Sequence, residues 1–207
     1  MSGSCHPVLT IGHSTHALKT LVELLKANTV AALADIRSSP FSRFTPQFNR
    51  GTLEKSLVAE GIKYVFLGRE LGGRAADPSC YENGRVQYQR MAGTEVFRGG
   101  IERVLRGATK QRIALLCAEK EPLDCHRTLL VAPALLNAGV MVDHILADGR
   151  VETHAAAMMR LLGLLGMPQA DILRSTAELV EEALQRQAAR VAYVDERLVG
   201  KATSGGR

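Results

Sequence analysis

Tryptophan is absent, aromatic residues make up only 4% of the 207 residues, and there are just four cysteines. So few aromatics weaken any reading that depends on a platform of stacked bases. Four cysteines are too sparse for a disulfide scaffold, so in a reducing compartment they are free thiols, buried or functional. No apolar run approaches the roughly 18 residues that a membrane span needs. The start, MSGSCHPVLTIGHS, has no basic segment followed by a continuous apolar one. The expectation is a cytoplasmic protein without membrane contact. Internal repeats and low-complexity segments are absent as well.

What is present suits an ordinary globular chain. Hydrophobic residues are 46% and charged residues 23%, which allows one well-buried core plus an appendage. The net charge of +5 permits an anionic small molecule or a nucleic acid as partner, because basic surface concentrates anions.

Short apolar runs alternate with amphipathic stretches, the pattern of strand and helix units around a parallel sheet. PVLTIGHST (7–15) and VAALADIR (30–37) read as strands. Between them, ALKTLVELLKAN (17–28) places Leu18, Leu21, Val22 and Leu25 at helical spacing. GTLEKSLVAEG (51–61) is a helix closed by Gly61, and IKYVFLG follows as a strand. RELGGRAADPSCYENGR (69–85) has the composition of a long loop, with two polar helices after it at 86–92 and 94–107. RIALLC (112–117) is apolar throughout and belongs at the centre of the sheet, covered on both faces. HRTLLVAPALLNAG (126–139) is its crossover helix, kinked or divided by Pro133, and VMVDHIL (140–146) is the last strand. Beyond residue 150 the pattern is helical only, and in the final helix Val180, Leu184, Val191, Val194 and Leu198 line one face.

The expected class is therefore α/β, an open, mostly parallel sheet of about five strands with flanking helices, Rossmann-like or flavodoxin-like. That unit would span 1–154 and a C-terminal helical extension 155–200, packed on it or on a second copy in a homodimer; 201–207 would be a disordered tail.

Polar residues gather at the carboxyl ends of these strands. Gly12, His13 and Ser14 follow the first, Asp35 and Arg37 the second, Arg69 and Glu70 the third, Cys117 and Glu119 the fourth, with His144 and Asp148 around the fifth. That edge is where open parallel sheets bind ligands. The stretch CAEKEPLDCHR (117–127) then acquires a geometry. Cys117 closes an apolar strand and is buried, while Cys125 lies near the first helical turn with Asp124 as N-cap. The helix dipole and the charges of His126 and Arg127 lower the pKa of Cys125, which makes it the nucleophile candidate and Cys117 its supporting or resolving partner.

The ordered motifs IGHSTH (11–16), DIRSSPFSRF (35–44), LGRELGG (67–73), Tyr88 with Met91, CAEKEPLDCHR (117–127) and HILADGR (144–150) resemble the family known as domain of unknown function 488. The resemblance spans about residues 7–154. It implies an active site around two cysteines, which fall on Cys117 and Cys125, and it brings no established reaction.

Other chemistries fit less well. A cysteine phosphatase or sulfurtransferase loop needs an arginine six positions after its nucleophile, whereas Arg127 follows Cys125 by two and Cys117 by ten. A zinc site would have to draw on Cys117, Cys125, His126 and His13 from distant segments, and their spacing matches none of the usual close pairs, so no metal or other cofactor is expected. A dithiol switch needs the two Cα atoms within roughly 7 Å, which the intervening loop allows. GRELGG reads as a tight turn rather than a phosphate nest.

The arginines point to an anionic ligand, since Arg37, Arg43, Arg69, Arg74 and Arg127 all belong to this edge. The expectation is an enzyme on a phosphate-bearing substrate, a nucleotide or nucleic acid. Cys125, Cys117, His13 and Glu119 are the catalytic candidates, and Asp35, Arg37, Arg69, Glu70, His126 and Arg127 the substrate-binding ones. The rival is a non-catalytic nucleic-acid-binding or redox-sensing module on the same edge.

Overall fold

In the computed structural model, residues 6–200 are described. Strand β1 (Val8–Gly12) leads to helix α1 (Leu18–Ala27), β2 (Ala32–Asp35), α2 (Arg50–Ala59) and β3 (Lys63–Phe66). The stretch expected to be a long loop holds the one-turn helix α3 (Gly68–Leu71) and a hairpin of β4 (Tyr81–Glu82) and β5 (Arg85–Val86). Next come α4 (Tyr88–Ala92), α5 (Glu95–Ala108) and the central strand β6 (Ile113–Cys117). After a π turn at Arg127–Val131 the chain continues through α6 (Ala132–Asn137), β7 (Val142–Ile145), β8 (Val151–Thr153), α7 (His154–Leu164) and α8 (Thr176–Val191).

The main sheet runs β3-β2-β6-β1-β7-β8. Its first five strands are mutually parallel, and β8 pairs antiparallel with β7. The α/β class with a mostly parallel sheet and C-terminal helices follows directly. Strand order adds a detail: counted among the five parallel strands it is 3-2-4-1-5, where the two familiar doubly wound orders are 3-2-1-4-5 and 2-1-3-4-5. The fourth parallel strand is inserted beside the first, so β6 sits at the centre as its apolar run requires.

Alternation along β6 shows why that run is continuous. Ile113 and Leu115 enter one core with Phe97, Ile101 and Val104 of α5, while Ala114 and Leu116 enter the other with Leu21 and Leu25 of α1 and Leu53 and Leu57 of α2. A strand buried on both faces has no polar side to show.

Two expectations are corrected near the C-terminus. VMVDHIL is not the last strand, because Val151–Thr153 adds an antiparallel edge. The final helix stops at Val191, so Val194 and Leu198 do not continue its face; the residues it buries are Leu179, Ala183 and Gln187. Leu179 and Ala183 pack with Met158, Leu161 and Leu162 of α7 and with Leu123. The C-terminal helix thus packs at least this part of its surface on α7 and the thiol loop's turn. Residues 201–207, expected to form a tail, lie outside the described residues.

Pro133 does not divide its helix. Helical backbone runs from His126 to Asn137, and the disturbance is the π turn, in which the Ala132 N–H reaches back to the Arg127 carbonyl. The wider turn accommodates a proline ring that would crowd the carbonyl four residues earlier in a regular helix.

Candidate functional site

Three adjacent strands, β2, β6 and β1, end side by side. Backbone bonds carry the pairing past their ends: Ile36 N–H donates to the Leu116 carbonyl (3.1 Å), His13 N–H to that of Cys117 (2.9 Å) and Ser14 N–H to that of Ala118 (2.9 Å). The residues that follow each strand are thereby held along one edge, the ligand edge of such sheets.

After Cys117 the chain passes Glu119, turns at the short 3-10 segment Pro122–Asp124 and reaches Cys125. Cys125 is extended (φ −137°, ψ 141°), and helical dihedrals begin at His126. Its carbonyl accepts from the Thr128 and Leu129 amides, and its Sγ accepts from the Arg127 amide at 3.4 Å. Cys125 itself caps the helix. Asp124, expected in that role, accepts instead from Gln187 Nε2 of α8 at 2.9 Å and ties the loop to the C-terminal helix. A thiol in a capping position receives an amide N–H at the positive end of the helix.

Four donors converge here. His126 Nε2 donates to the Ile36 carbonyl (3.2 Å), which turns Nδ1 toward Cys117 Sγ (3.6 Å) and Cys125 Sγ (3.8 Å). Cys125 Sγ lies 3.2 Å from Glu119 Oε2. The ligand atoms of Cys117, Glu119, Cys125 and His126 all fall within 4.8 Å of one another, so among the described residues this group has the spacing to hold a metal ion. His13, weighed with the two cysteines and His126 as a zinc ligand, is not among them, and Glu119 is.

The two thiols are equally buried, each 2% exposed, yet titrate in opposite directions. Burial pushes Cys117 up, and the negative charge of Cys125 pushes it further. Burial also opposes ionisation of Cys125, but the Cys117 S–H, the Arg127 charge and His126 outweigh it and bring its pKa to about 6. His126 is raised, because the neighbouring Cys125 charge and hydrogen bond overcome the desolvation that disfavours its cation. Burial opposes the Glu119 charge, but thiol and backbone hydrogen bonds and the His126 charge outweigh it, so Glu119 is lowered.

The cleft above this cluster encloses about 350 Å³, and its lining includes His13, Arg37, Ser38, Ser39, Cys117, Glu119 and His126. Cys125 lies just behind that wall. Beneath it, Asp35 is fully buried, its carboxylate accepting from Arg37 Nε (2.8 Å), Arg37 Nη2 (2.6 Å), the Arg37 amide (3.1 Å) and the Tyr64 hydroxyl (2.7 Å). Asp35 is therefore not a substrate ligand; it fixes Arg37. Arg37 Nη1 donates to His13 Nε2 (3.1 Å), while His13 Nδ1 donates to the Ser14 carbonyl (2.9 Å). Burial, helped by the Arg37 charge, lowers the His13 pKa to about 4. Its only acceptor nitrogen is occupied, so His13 reads as a neutral wall group rather than a free base.

Arg69, Glu70 and Arg127 are not brought to the cleft. Glu70 pairs with Arg103, and Arg69 lines a separate concavity with Arg50 and Tyr64. Arg127 is 0% exposed and spends its guanidinium on the carbonyls of Glu119 (2.7 Å) and Lys120 (3.2 Å). It braces the loop from beneath and adds charge to Cys125. His144 and Asp148 also stand apart: His144 is buried against Thr10 and His154, and Asp148 pairs with Arg150.

Gly12 makes this brace possible. A Cβ there would lie 1.8 Å from the Glu119 carbonyl oxygen and 2.7 Å from Arg127 Nη1. Gly12→Ala must displace the Glu119 backbone, so the variant is expected to lower the thermal midpoint by several degrees and to slow alkylation of Cys125. An unchanged midpoint with unchanged alkylation would show that the loop is not packed against β1.

The family model for Domain of unknown function DUF488 matches residues 17–133, more than half of the chain. The chain belongs to this family. Neither the search of curated proteins nor that of solved structures returned a match. The DUF488 match covers Asp35, Arg37 and the whole thiol loop, and it leaves outside both His13 and the C-terminal residues of the cleft.

Those C-terminal residues escaped the sequence reading. Tyr193, just past α8, lines the cleft and carries the Arg74 guanidinium over its ring at 4.3 Å. An aromatic after a helix has no signal in sequence that would place it here. Tyr88 also lines the cleft, its pKa raised by burial and by the anionic cluster. It follows an extended residue at the start of α4, and only its place among the DUF488 motifs singles it out.

Proposed function

We propose that this DUF488 protein is an enzyme acting at the cleft on an anionic, phosphate-bearing substrate, a nucleotide or nucleic acid, with Cys125 as its thiolate. The observation that carries the reading is a thiol at a helix cap behind a cleft wall that holds Arg37, Arg74 and several hydroxyls. Arg37, Arg74, Ser38, Ser39, Ser42 and Thr45 supply donors suited to phosphate oxygens. Arg74 stacks on an aromatic ring rather than a carboxylate, which leaves its N–H edge to the ligand. Cys117 holds its S–H toward Cys125, and the Glu119 carboxylate, the exposed member of the cluster, lies 3.2 Å from the Cys125 sulfur, placed to take the Cys125 proton as the thiolate forms.

The test is product formation from a panel of nucleotides and phosphate esters, followed by mass spectrometry for wild type and Cys125→Ser. The expected result is turnover of at least one class, reduced about a thousandfold or more in the variant. Nucleic-acid binding that weakens steeply with salt and yields no product would replace the enzyme by a binding module. Redox sensing is a second reading, favoured by the proximity of the two sulfurs. Its mark is a Cys117–Cys125 disulfide formed by mild oxidant and reversed by dithiothreitol.

A further inference from the structure

We propose that Cys117, Glu119, Cys125 and His126 form a binding site for a zinc-class divalent cation, and that its occupancy silences the thiol. Binding rests on geometry alone; only the silencing rests on the function proposed above.

Three observations carry it. First, the donors lie close to the spacing of a coordination polyhedron, all within 4.8 Å of one another. With zinc–sulfur bonds of about 2.3 Å and zinc–nitrogen bonds of about 2.0 Å, neighbouring ligand atoms of a tetrahedron lie about 3.3–3.8 Å apart. The separations found are 3.6 Å (Cys117 to His126), 3.8 Å (Cys125 to His126) and 3.2 Å (Cys125 to Glu119). Small shifts therefore close the shell.

Second, the supporting bonds are those a metal site needs. A carbonyl can only accept, so the Ile36 oxygen fixes the proton on His126 Nε2 and aims Nδ1 at the sulfurs. The Arg127 amide donates to Cys125 Sγ, and the Arg127 guanidinium holds the consecutive carbonyls of Glu119 and Lys120, so the ligands need no large rearrangement.

Third, the donor set selects the ion. Two thiolates and an imidazole favour zinc over the hard cations magnesium and calcium, which prefer oxygen. Three of the four ligands are buried and come from the β6 end and the helix cap, while exposed Glu119 is the exchangeable one on the cleft side. The ion takes the sulfur lone pair that alkylation or attack requires, so metal binding and thiol chemistry exclude each other.

The experiment uses the full chain, reduced and freed of metal with a chelator that is then removed. Cobalt(II) is titrated in, and thiolate-to-cobalt absorption in the near ultraviolet is read together with the rate of Cys125 alkylation. Expected is saturation at one ion per chain, displacement of cobalt by zinc, and alkylation slowed by more than about tenfold in the loaded form. Cys5→Ser/Cys80→Ser keeps the absorption band, and Cys125→Ser loses it. Absence of the band in wild type, or a band that leaves Cys125 alkylation unchanged, overturns the proposal. In the first case, rapid alkylation would leave the thiol-enzyme reading standing, and slow alkylation of all thiols would remove that as well.

Discussion

Replacing Asp35 by alanine is expected to cost about 3–5 kcal/mol of folding stability, the range found when one partner of a buried ion pair is removed. Asp35 is 0% exposed and accepts four hydrogen bonds, three from Arg37 and one from the Tyr64 hydroxyl. Its loss leaves the Arg37 cation, itself only 7% exposed, without a counter-charge. The consequence spreads to the cleft, because the same guanidinium bonds His13 Nε2 and the Phe48 carbonyl. Urea denaturation measures the effect. Asp35→Ala/Arg37→Met should recover part of the loss, since it removes the stranded charge. A cost below about 1 kcal/mol for the single variant would mean that Arg37 relaxes to solvent and that the pair does not set the cleft wall.

Mild acid is expected to destabilise the protein through a second buried group. The Thr10 hydroxyl lies 2.8 Å from His144 Nδ1, and His144 Nε2 lies 3.1 Å from His154 Nδ1. The assignment that satisfies the pattern has Thr10 donating to His144 and His144 donating to His154, with both rings neutral. Burial lowers His144 to about 3, with the facing His154, Arg127 and Arg160 adding to it, and burial lowers His154 to about 4. Both shifts favour the neutral ring in the folded state. The stabilisation is therefore complete above the unfolded pKa of about 6.5 and is lost as pH falls toward the folded values. By pH 5 each ring should have cost about 2 kcal/mol, since the unfolded histidine takes up a proton that the folded one refuses. Thermal unfolding between pH 7 and pH 4.5 should show this slope for wild type and a shallower one for His154→Gln. Parallel slopes would assign the acid lability elsewhere.

The fold was readable where one physical signal acted alone. RIALLC had to be central because a strand with no polar face has nowhere else to go, and it pairs with β1 and β2 on its two sides. The loop of residues 69–85 was opaque: its hairpin strands are two residues each, too short for any period to show. VET at 151–153 was hidden for the same reason, its edge position being set by pairing with β7. At the site, the sequence placed His13, Arg37, Cys117, Glu119, Cys125 and His126 on one edge, because the carboxyl ends of parallel strands share a side. It could not show direction. Arg127 follows the cap yet turns inward, and Asp35 ends its strand beneath Arg37 rather than in the cleft. Arg69 was misplaced because LGRELGG forms a helical turn: Gly68 packs on the Arg37 carbonyl and Gly73 reaches the cleft, while Arg69 lines the separate concavity with Arg50 and Tyr64. Tyr193 arrives only through the packing of α8, which the Gln187 bonds to Leu123 and Asp124 anchor.

The central claim is that Cys125, not Cys117, is the reactive thiolate of an anion-binding cleft. The most direct measurement is a time course of iodoacetamide labelling at neutral pH with a chelator present, read by peptide mapping, with and without inorganic phosphate. Cys117 borders the cleft and Cys125 lies behind its wall, but each residue is only 2% exposed, and a pKa of about 6 leaves Cys125 largely thiolate where Cys117 is a thiol, so ionisation sets the order. The account predicts that Cys125 labels first and that phosphate slows it by filling the opening beside Arg37 and Arg74. Labelling of Cys117 ahead of Cys125, or equal slow labelling of both that phosphate leaves unchanged, would contradict it.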